Sequence, residues 1–376
     1  MKVLFLSSYA HLVLSGSKDR VSGGAELQVA LLSRELAKRG IDCVVVGGDV
    51  GQSDGAVFDG VSTRNGGRFQ TGGLVDLVFA LPRIAKILAE ERPTHVYVLG
   101  WTTWLWILLK MRRFFGYQLG FICGLDTEVN GEFRRENPVR GALFESGVAG
   151  CDIRLAMTNY QAACFEKNGQ SCGMYRNLIL PRSTPQSAEK SIDLLWVARC
   201  QPIKRPHLFL DLVERLPHLR CRMICPCEDQ QLWATVAARA TTVPNLEFHE
   251  KVPYHQIQEV YDSANIFVNT STFEGWPNSF IQSGLGHTAL ASLDVNPDQL
   301  FDLYELGAFA NGDTSRFESQ ITTLISDPAR LAHTQAECAR FVHELHDNQS
   351  NVNAFLEYQS RVTSEKSRGD AEAETE

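Results

Sequence analysis

The sequence has no run of about 18 uninterrupted apolar residues, so it contains no segment typical of a membrane-spanning helix. It also has no excess of basic residues, because its net charge is −8. Proteins that bind nucleic acid broadly need a basic surface, so nucleic acid is not an expected partner. The ten cysteines follow no regular spacing and indicate no disulfide framework. Buried, reduced thiols in a cytosolic protein are the expectation.

The densest group of cysteines is Cys221, Cys225 and Cys227. A zinc site would need a second pair of cysteines or histidines at a suitable spacing, and the sequence offers none. Residues 221–225 are instead typical of a strand. The sequence therefore favours structural thiols here, and no bound metal is predicted.

Short apolar runs alternate with amphipathic helical patterns over nearly the whole length. The first set of strands is predicted at residues 3–6, 43–46, 95–99, 119–123 and 153–157, with helices at 25–39 and 74–91. The second set is predicted at residues 193–197, 220–224, 246–248 and 266–269, with helices at 207–215 and 254–262. This rhythm predicts parallel sheets covered by helices on both faces.

With 376 residues, the chain is long enough for two domains. A polar stretch with serines and prolines separates the two sets of strands and is the predicted linker. The predicted boundaries are an N-terminal domain over 1–175, a linker over 176–191, a C-terminal domain over 192–345, a helix over 346–362 that packs back towards the N-terminal domain, and a disordered tail over 363–376. The predicted fold class is α/β, with two doubly wound Rossmann-like domains facing a central cleft.

The run over residues 272–282 follows a predicted strand and leads into a predicted helix. Positions 274 and 282 are eight residues apart, so on a helix their side chains would lie roughly on one face. It holds the carboxylate of Glu274, the ring of Trp276, and then Pro277, Asn278 and Ser279. The start of a helix presents backbone N–H groups and a favourable dipole to an anion. Glu274 is a candidate catalytic carboxylate, a sugar-hydroxyl acceptor or a plain helix N-terminal acid. Trp276 is either a stacking surface or a core-facing aromatic.

Two further patterns indicate contacts to phosphate. Gly23 and Gly24 precede the first long helix, where they serve either as a phosphate contact or as a simple turn and cap. Arg199 ends the first strand of the second domain, and Lys204 follows in the next loop. Both cations are suited to phosphate oxygens, because ligands in such sheets bind beyond the carboxyl ends of the strands.

Together these motifs resemble the retaining, GT-B-type glycosyltransferases of the large group 1 (family 4) class. The resemblance covers about residues 1–360 and is strongest over 192–300. It implies that Gly23, Gly24 and the amides of the 272–282 turn hold the donor phosphates, and that Arg199 and Lys204 neutralise the diphosphate without a metal. It also implies that Glu274 contacts the donor hexose and that position 282 holds the nucleotide ribose.

The sequence departs from that family at two places. Gln282 stands where the family has a second glutamate; its amide still bonds a diol but carries no charge. Residues 122–128 lack the histidine that many relatives place near the reacting centre, and Asp126 is the nearest polar candidate. Asp126 is equally typical of an ordinary loop cap.

The resulting hypothesis is a metal-independent, retaining hexosyltransferase. It would use a nucleoside-diphosphate sugar as co-substrate and a saccharide or lipid-linked acceptor, in polysaccharide or glycoconjugate biosynthesis. The alternatives are a non-catalytic sugar-nucleotide-binding partner subunit and a sugar-nucleotide epimerase on a related fold. The absence of an Asp-x-Asp motif argues against a metal-dependent, single-domain glycosyltransferase.

Residues 101–115 combine three tryptophans with Lys110, Arg112 and Arg113. One interpretation is an interfacial helix that gives peripheral contact with the inner membrane surface. The favoured interpretation is a buried helix with basic residues at its C-terminal end. The expected location is the cytoplasm, since the apolar run at 3–6 is better explained as a first buried strand than as a signal peptide.

Overall fold

A computed structural model describes residues 1–16, 23–50, 54–69, 74–180, 189–253 and 256–373. The chain divides into two compact units, unit 1 from Met1–Leu178 with Asn348–Glu376 and unit 2 from Ile179–Asp347. The boundary at Leu178 and Ile179 falls inside the predicted linker; within that linker, residues 181–188 lie outside the described residues. Each unit has its own parallel sheet, as predicted, whereas the central cleft stays a prediction.

The strands of unit 1 are β1 (Lys2–Leu6), β2 (Asp42–Gly47), β3 (Val57–Phe58), β4 (Val61–Asn65), β5 (His95–Leu99), β6 (Gln118–Ile122), β7 (Ile153–Ala156) and β8 (Gly173–Met174). They lie in the order β3-β4-β2-β1-β5-β6-β7-β8. Only the β3–β4 pair among them is antiparallel. The central strands are continuous apolar runs because helices cover both faces of the sheet; Val3, Leu4 and Phe5 are all buried.

The first helices of unit 1 are α1 (Ala10–Ser15), α2 (Gly24–Lys38), α3 (Leu74–Glu91), α4 (Trp104–Phe115), α5 (Glu132–Glu136), α6 (Pro138–Ala149) and α7 (Asn159–Lys167). Helix α4 is the segment for which membrane contact was predicted. Trp104, Leu105, Leu108 and Met111 share one face of α4 and lie in the core. This burial is what the buried-helix interpretation expects, and membrane contact stays a prediction. Among the described helices, none is long and apolar enough to cross a membrane.

The strands of unit 2 are β9 (Ile192–Val197), β10 (Cys221–Ile224), β11 (Leu246–His249), β12 (Ala264–Asn269), β13 (Ala289–Ser292) and β14 (Gly307–Phe309). They are all parallel and lie in the order β11-β10-β9-β12-β13-β14. The order reverses between β9 and β12, since the chain first proceeds to one side of β9 and then crosses to the other. In doubly wound sheets, such a switch point opens a crevice beyond the carboxyl ends of the strands.

The helices of unit 2 are α8 (Pro206–Arg215), α9 (Gln230–Ala240), α10 (Ile257–Asp262), α11 (Asn278–Leu285), α12 (Leu300–Leu303), α13 (Thr314–Ser326) and α14 (Pro328–Leu345). Every strand predicted from the sequence in either unit is present, with ends shifted by two residues at most. The predicted start of α10, at residues 254–255, lies outside the described residues.

The last helix, α15 (Asn348–Ala373), belongs to unit 1. It continues well past Val362, so the predicted disordered tail is wrong for residues 363–373; residues 374–376 lie outside the description. Two polar contacts hold the first turn after Val362 to other parts of unit 1. The Thr363 hydroxyl donates to Gln118 Oε1 at 3.0 Å, and Lys366 Nζ pairs with Asp152 Oδ1 at 2.7 Å.

Candidate functional site

The side chains of Lys204 and Glu274 meet at the switch point of unit 2. Lys204 lies in the loop after β9, and Glu274 lies in the loop after β12, the next strand in the sheet. Lys204 Nζ is 3.0 Å from Glu274 Oε2, and both side chains are 18% exposed. The other carboxylate oxygen accepts hydrogen bonds from Asn269 Nδ2 at 3.0 Å and from Ser271 Oγ at 2.7 Å. The carboxylate is therefore held in one orientation while remaining within reach of a ligand.

Backbone and hydroxyl contacts tie the two loops together. The Thr272 N–H donates to the Ile203 carbonyl at 2.9 Å. The Thr270 hydroxyl donates to the Lys204 carbonyl at 2.7 Å and accepts from Trp196 Nε1 at 2.9 Å. Since Thr270 and Trp196 are buried, these bonds exchange little with water. They fix the backbone from which Lys204 extends.

Arg205 is a residue of this site that the sequence does not reveal. Its Nε donates to the Thr270 carbonyl at 2.6 Å and its Nη2 donates to the Ser271 carbonyl at 3.1 Å. The same guanidinium forms an ion pair with Asp294, which follows β13. In the sequence Arg205 is simply the next residue after Lys204, and Asp294 lies far along the chain. The order of the strands is what brings them together.

Arg199 does not join the Lys204–Glu274 pair, although it lies in the same loop. Its Nη1 pairs with Glu228 Oε2 at 2.7 Å, and the two side chains are 45% and 39% exposed. An ion pair this exposed contributes little to stability, about 0–1 kcal/mol. Arg199 can therefore exchange Glu228 for an anionic ligand at small cost. Its predicted contact with a diphosphate stays a prediction.

Helix α11 begins at Asn278, with Pro277 as its N-cap residue and Ser279 in its first turn. Glu274 precedes the helix, so the expectation that Glu274 and Gln282 would share one helical face is wrong. Proline at the cap explains the boundary. It has no N–H for a helical hydrogen bond and its ring would clash with a preceding helical turn, but neither property matters at the entry to a helix. Gln282 lies one turn after Asn278 and is half-buried. The N-terminus of α11 adjoins the Glu274 loop.

Trp276 is buried at 5% exposure, with its ring centroid 5.1 Å from that of His346. This is the core-facing alternative of the two that the sequence left open. A stacking surface for a ligand would need an accessible ring face. Trp276 instead packs the Glu274 loop against the end of α14.

The remaining predicted site residues belong to unit 1. Gly23 is the N-cap residue of α2 and Gly24 is its first residue. Asp126 follows β6 in a short 3-10 turn and accepts a hydrogen bond from Gln161 Nε2 at 3.0 Å. This bond connects the loop after β6 to α7, which is a structural role of the kind that the loop-cap interpretation expects. The roles of all three in binding or catalysis stay predictions.

Glu128, two residues after Asp126, organises the same loop. Its carboxylate accepts from the backbone N–H groups of Trp101 at 2.8 Å, Gly124 at 2.7 Å and Leu125 at 3.2 Å. Burial raises the pKa of Glu128 to about 7, while the three amides act in the opposite direction. Three amides on a buried carboxylate hold together the turns that follow β5 and β6.

Within the described ranges, no group of three or more His, Cys, Asp or Glu side chains lies close enough together to hold a metal ion. The cysteines of the 221–227 cluster carry free thiols, of which Cys221 and Cys225 are buried and Cys227 is exposed. Burial raises the pKa of Cys221 to about 12, so this thiol stays protonated at neutral pH.

Two units with parallel sheets of this topology define the GT-B fold, and known structures of that fold match nearly the whole chain. Sucrose-phosphate synthase from Thermosynechococcus elongatus matches with a TM-score of 0.79 and 15% identity, over 97% of this chain and 99% of that chain. HepE from Anabaena, in complex with UDP, matches with a TM-score of 0.69 and 13% identity, over 96% of this chain and 100% of the HepE chain. A UDP-forming α,α-trehalose-phosphate synthase from Burkholderia xenovorans matches with a TM-score of 0.69 and 14% identity, over 96% of this chain and 99% of the synthase chain.

The sequence profile of Glycosyltransferase Family 4 matches residues 22–170 of the chain. This stretch lies in unit 1, whereas the resemblance seen in the sequence is strongest over 192–300. The profile and the structural matches together confirm the predicted α/β class with two doubly wound domains and the resemblance to group 1 glycosyltransferases. No curated protein sequence matches the chain.

Proposed function

We propose that the protein is a glycosyltransferase that moves a hexose from a nucleoside-diphosphate sugar to a saccharide or lipid-linked acceptor, with retention and without a metal ion. The observation that carries this proposal is the Lys204–Glu274 ion pair at the switch point of unit 2. It places one cation and one oriented carboxylate beside the start of α11. A donor sugar needs the same set of groups, since it presents a diphosphate next to a ring of hydroxyl groups.

The chemistry assigns a role to each group. Departure of the diphosphate leaves negative charge on its oxygens, and fixed cations and amides lower the barrier by stabilising that charge. Lys204 and Arg199 supply cations, and the first turn of α11 supplies amides from Asn278 and Ser279. Glu274 accepts hydrogen bonds from the hexose hydroxyl groups. Gln282 bonds the ribose diol with its neutral amide.

The remaining assignments follow the same hypothesis. Gly23 and Gly24 would let the backbone at the start of α2 approach the donor phosphates closely. Asp126 would act near the reacting centre in place of the absent histidine. HepE in complex with UDP and the UDP-forming synthase are fold relatives that support a nucleoside-diphosphate donor. We assign the protein to polysaccharide or glycoconjugate biosynthesis in the cytoplasm, with peripheral membrane contact if the acceptor is lipid-linked.

A nucleotide screen tests the donor site. Differential scanning fluorimetry with UDP, GDP and ADP should show one of them raising the unfolding midpoint, because ligand binding to the native state stabilises it. Lys204→Ala should remove most of that shift. Arg330→Ala, which removes an exposed cation from α14, should leave it unchanged. If none of the three nucleotides shifts the midpoint of the wild type, the donor-site assignment is wrong.

A second candidate is a non-catalytic sugar-nucleotide-binding subunit. Two observations favour it: Gln282 replaces an expected carboxylate, and residues 122–128 contain no histidine. Incubation with nucleotide sugars and a panel of saccharide acceptors separates the two candidates. Release of nucleoside diphosphate that depends on Glu274 supports the transferase. Tight nucleotide binding with neither transfer nor hydrolysis would support the binding subunit, and interconversion of the sugar without an acceptor would indicate an epimerase.

A further inference from the structure

Arg205 has a backbone conformation that is unfavourable for its residue type. Its φ of 46° and ψ of 56° lie in the left-handed region, where the Cβ of any residue but glycine is crowded. The following residue is Pro206, the first residue of α8. A non-glycine residue persists in such a conformation only where its surroundings hold it there. The side-chain contacts of Arg205 provide that restraint.

The guanidinium of Arg205 connects the carboxyl ends of three adjacent strands. Arg205 itself follows β9, the carbonyls of Thr270 and Ser271 follow β12, and Asp294 follows β13. The distances are 2.6 Å to the Thr270 carbonyl and 3.1 Å to the Ser271 carbonyl, with the ion pair to Asp294 completing the set. The planar fork of arginine suits three acceptors in fixed directions, whereas lysine offers a single charged atom.

The two carbonyl contacts lead directly to the Lys204–Glu274 pair. Ser271, whose carbonyl Arg205 holds, donates through its hydroxyl to Glu274 Oε1 at 2.7 Å. Thr270, whose carbonyl Arg205 also holds, donates through its hydroxyl to the carbonyl of Lys204 at 2.7 Å. Arg205 is also the immediate neighbour of Lys204 in the chain. One side chain therefore restrains the backbone on both sides of the ion pair.

From this geometry we infer that Arg205 is a positioning residue, which sets Lys204 and Glu274 to receive the diphosphate and the sugar of the donor. The inference rests on the proposed function, because it concerns the same site. Arg205 acts through the two loops and touches no reacting atom. Asp294 fixes the guanidinium from the side of β13.

Four variants separate positioning from stability. Arg205→Gly removes the side chain and relieves the backbone strain, and Arg205→Lys keeps the charge without the fork. Asp294→Asn keeps the side-chain volume at position 294 and leaves Arg205 in place, but removes the charge that pairs with the guanidinium. It therefore tests the positioning role even if Arg205→Gly fails to fold. His287→Gly is the matched control, because His287 is exposed and also has a positive φ, 49°. His287 precedes β13 and so lies at the amino ends of the strands, whereas Arg205 lies at their carboxyl ends.

Binding is measured with whichever of UDP, GDP and ADP shifts the wild type most. We expect Arg205→Gly to weaken it about tenfold, a typical coupling between residues in contact. Arg205→Lys and Asp294→Asn should each give a smaller loss, and His287→Gly should give none. In a Lys204→Ala background, Arg205→Gly should cause little further loss, because its effect passes through Lys204.

A merely structural role gives a different result. If Arg205→Gly lowers the unfolding midpoint but binds the nucleotide within about twofold of wild type, the positioning role is refuted and the proposed function stands. Fully additive losses in the Lys204→Ala background would also refute it. If the wild type binds none of the three nucleotides, the proposed function itself fails, and the positioning role fails with it.

Discussion

Lys204 Nζ lies 3.0 Å from Glu274 Oε2, so the cation and the carboxylate of the candidate site are paired with each other. Each side chain lowers the net charge that the other presents. A diphosphate that enters the site would compete with Glu274 for Lys204, and this competition favours an exchange of partners during binding. A variant of one residue therefore changes the charge that the other presents to a ligand, so the roles of Lys204 and Glu274 can be tested separately.

Glu274→Gln should separate nucleotide binding from transfer. The glutamine keeps one oxygen for Asn269 and Ser271 but no longer pairs with Lys204. We expect nucleoside-diphosphate binding to be retained or strengthened, since Lys204 becomes available. Transfer should fall by about 10²–10³-fold, the typical cost of removing one group that stabilises a transition state.

The measurement for Glu274→Gln is kcat for transfer beside nucleotide affinity by calorimetry. Glu318→Gln, which breaks the exposed Arg215–Glu318 pair elsewhere in unit 2, is the control and should change neither quantity. A Glu274→Gln variant that loses nucleotide binding and transfer in equal proportion would contradict the separate roles.

Gln282→Glu should strengthen nucleotide binding if position 282 contacts the ribose. A carboxylate accepts hydrogen bonds from both hydroxyl groups of a diol, and charge-assisted bonds are about twice as strong as neutral ones. We expect several-fold tighter binding of the preferred nucleoside diphosphate, measured by isothermal titration calorimetry. Gln231→Glu, an exposed position in the first turn of α9, is the control. Unchanged affinity would place the ribose elsewhere.

The carboxyl group of Glu128 should make stability depend on pH. Its pKa is about 7 in the folded protein and near 4.5 in an unfolded chain. Between these values the folded state binds more protons than the unfolded state, so this group's contribution to stability falls as pH rises from about 4.5 to about 7. Above that range the contribution is constant.

Glu128→Gln tests this assignment, because the amide has no titration in that range. The difference in urea midpoint between wild type and variant should shrink as pH rises from about 4.5 to about 7. The variant should also lose about 1–3 kcal/mol, since its NH₂ group would face a backbone N–H donor. Glu357→Gln, at an exposed position of α15, controls for the lost charge. A difference independent of pH would contradict the raised pKa.

Gly284→Ala should destabilise unit 2, although alanine is the better helix former. Gly284 is buried in α11, and a methyl group there would overlap the Cys338 carbonyl and the Val342 side chain of α14. Overpacking of this kind costs about 1–3 kcal/mol. Urea unfolding followed by circular dichroism measures it, with Thr323→Ala on the exposed face of α13 as control. An increase in stability would show that α11 and α14 separate easily.

The sequence predicts the residues of the Lys204–Glu274 pair because one local rule places them both. Residues that follow adjacent parallel strands gather at one edge of the sheet, and each lies just after an apolar run that is recognisable without a structure. The residue at which α11 begins is harder to predict from the sequence. A spacing of eight suggested a shared helical face for Glu274 and Gln282, but Pro277 delays the helix until Asn278.

Arg205 and the part of α15 after Val362 escaped prediction for a different reason, since both depend on contacts between distant parts of the chain. Nothing in the residues around position 205 indicates a left-handed backbone or a partner at Asp294. The composition after Val362 is that of a disordered segment, and the ion pair of Lys366 with Asp152 helps to keep it helical. Local patterns carry no information on such long-range partners.

Unit 1 is assembled from segments that lie before and after unit 2 in the sequence, and this has a consequence for biosynthesis. Phe355 of α15 is fully buried, and its ring centroid lies 5.2 Å from that of Tyr97 and 6.0 Å from that of Tyr175. While the ribosome is still making unit 2, the aromatic surface formed by these tyrosines has no cover. Unit 1 is thus completed only after unit 2 has been translated, and its uncovered aromatic surface makes the nascent chain prone to aggregation until α15 emerges.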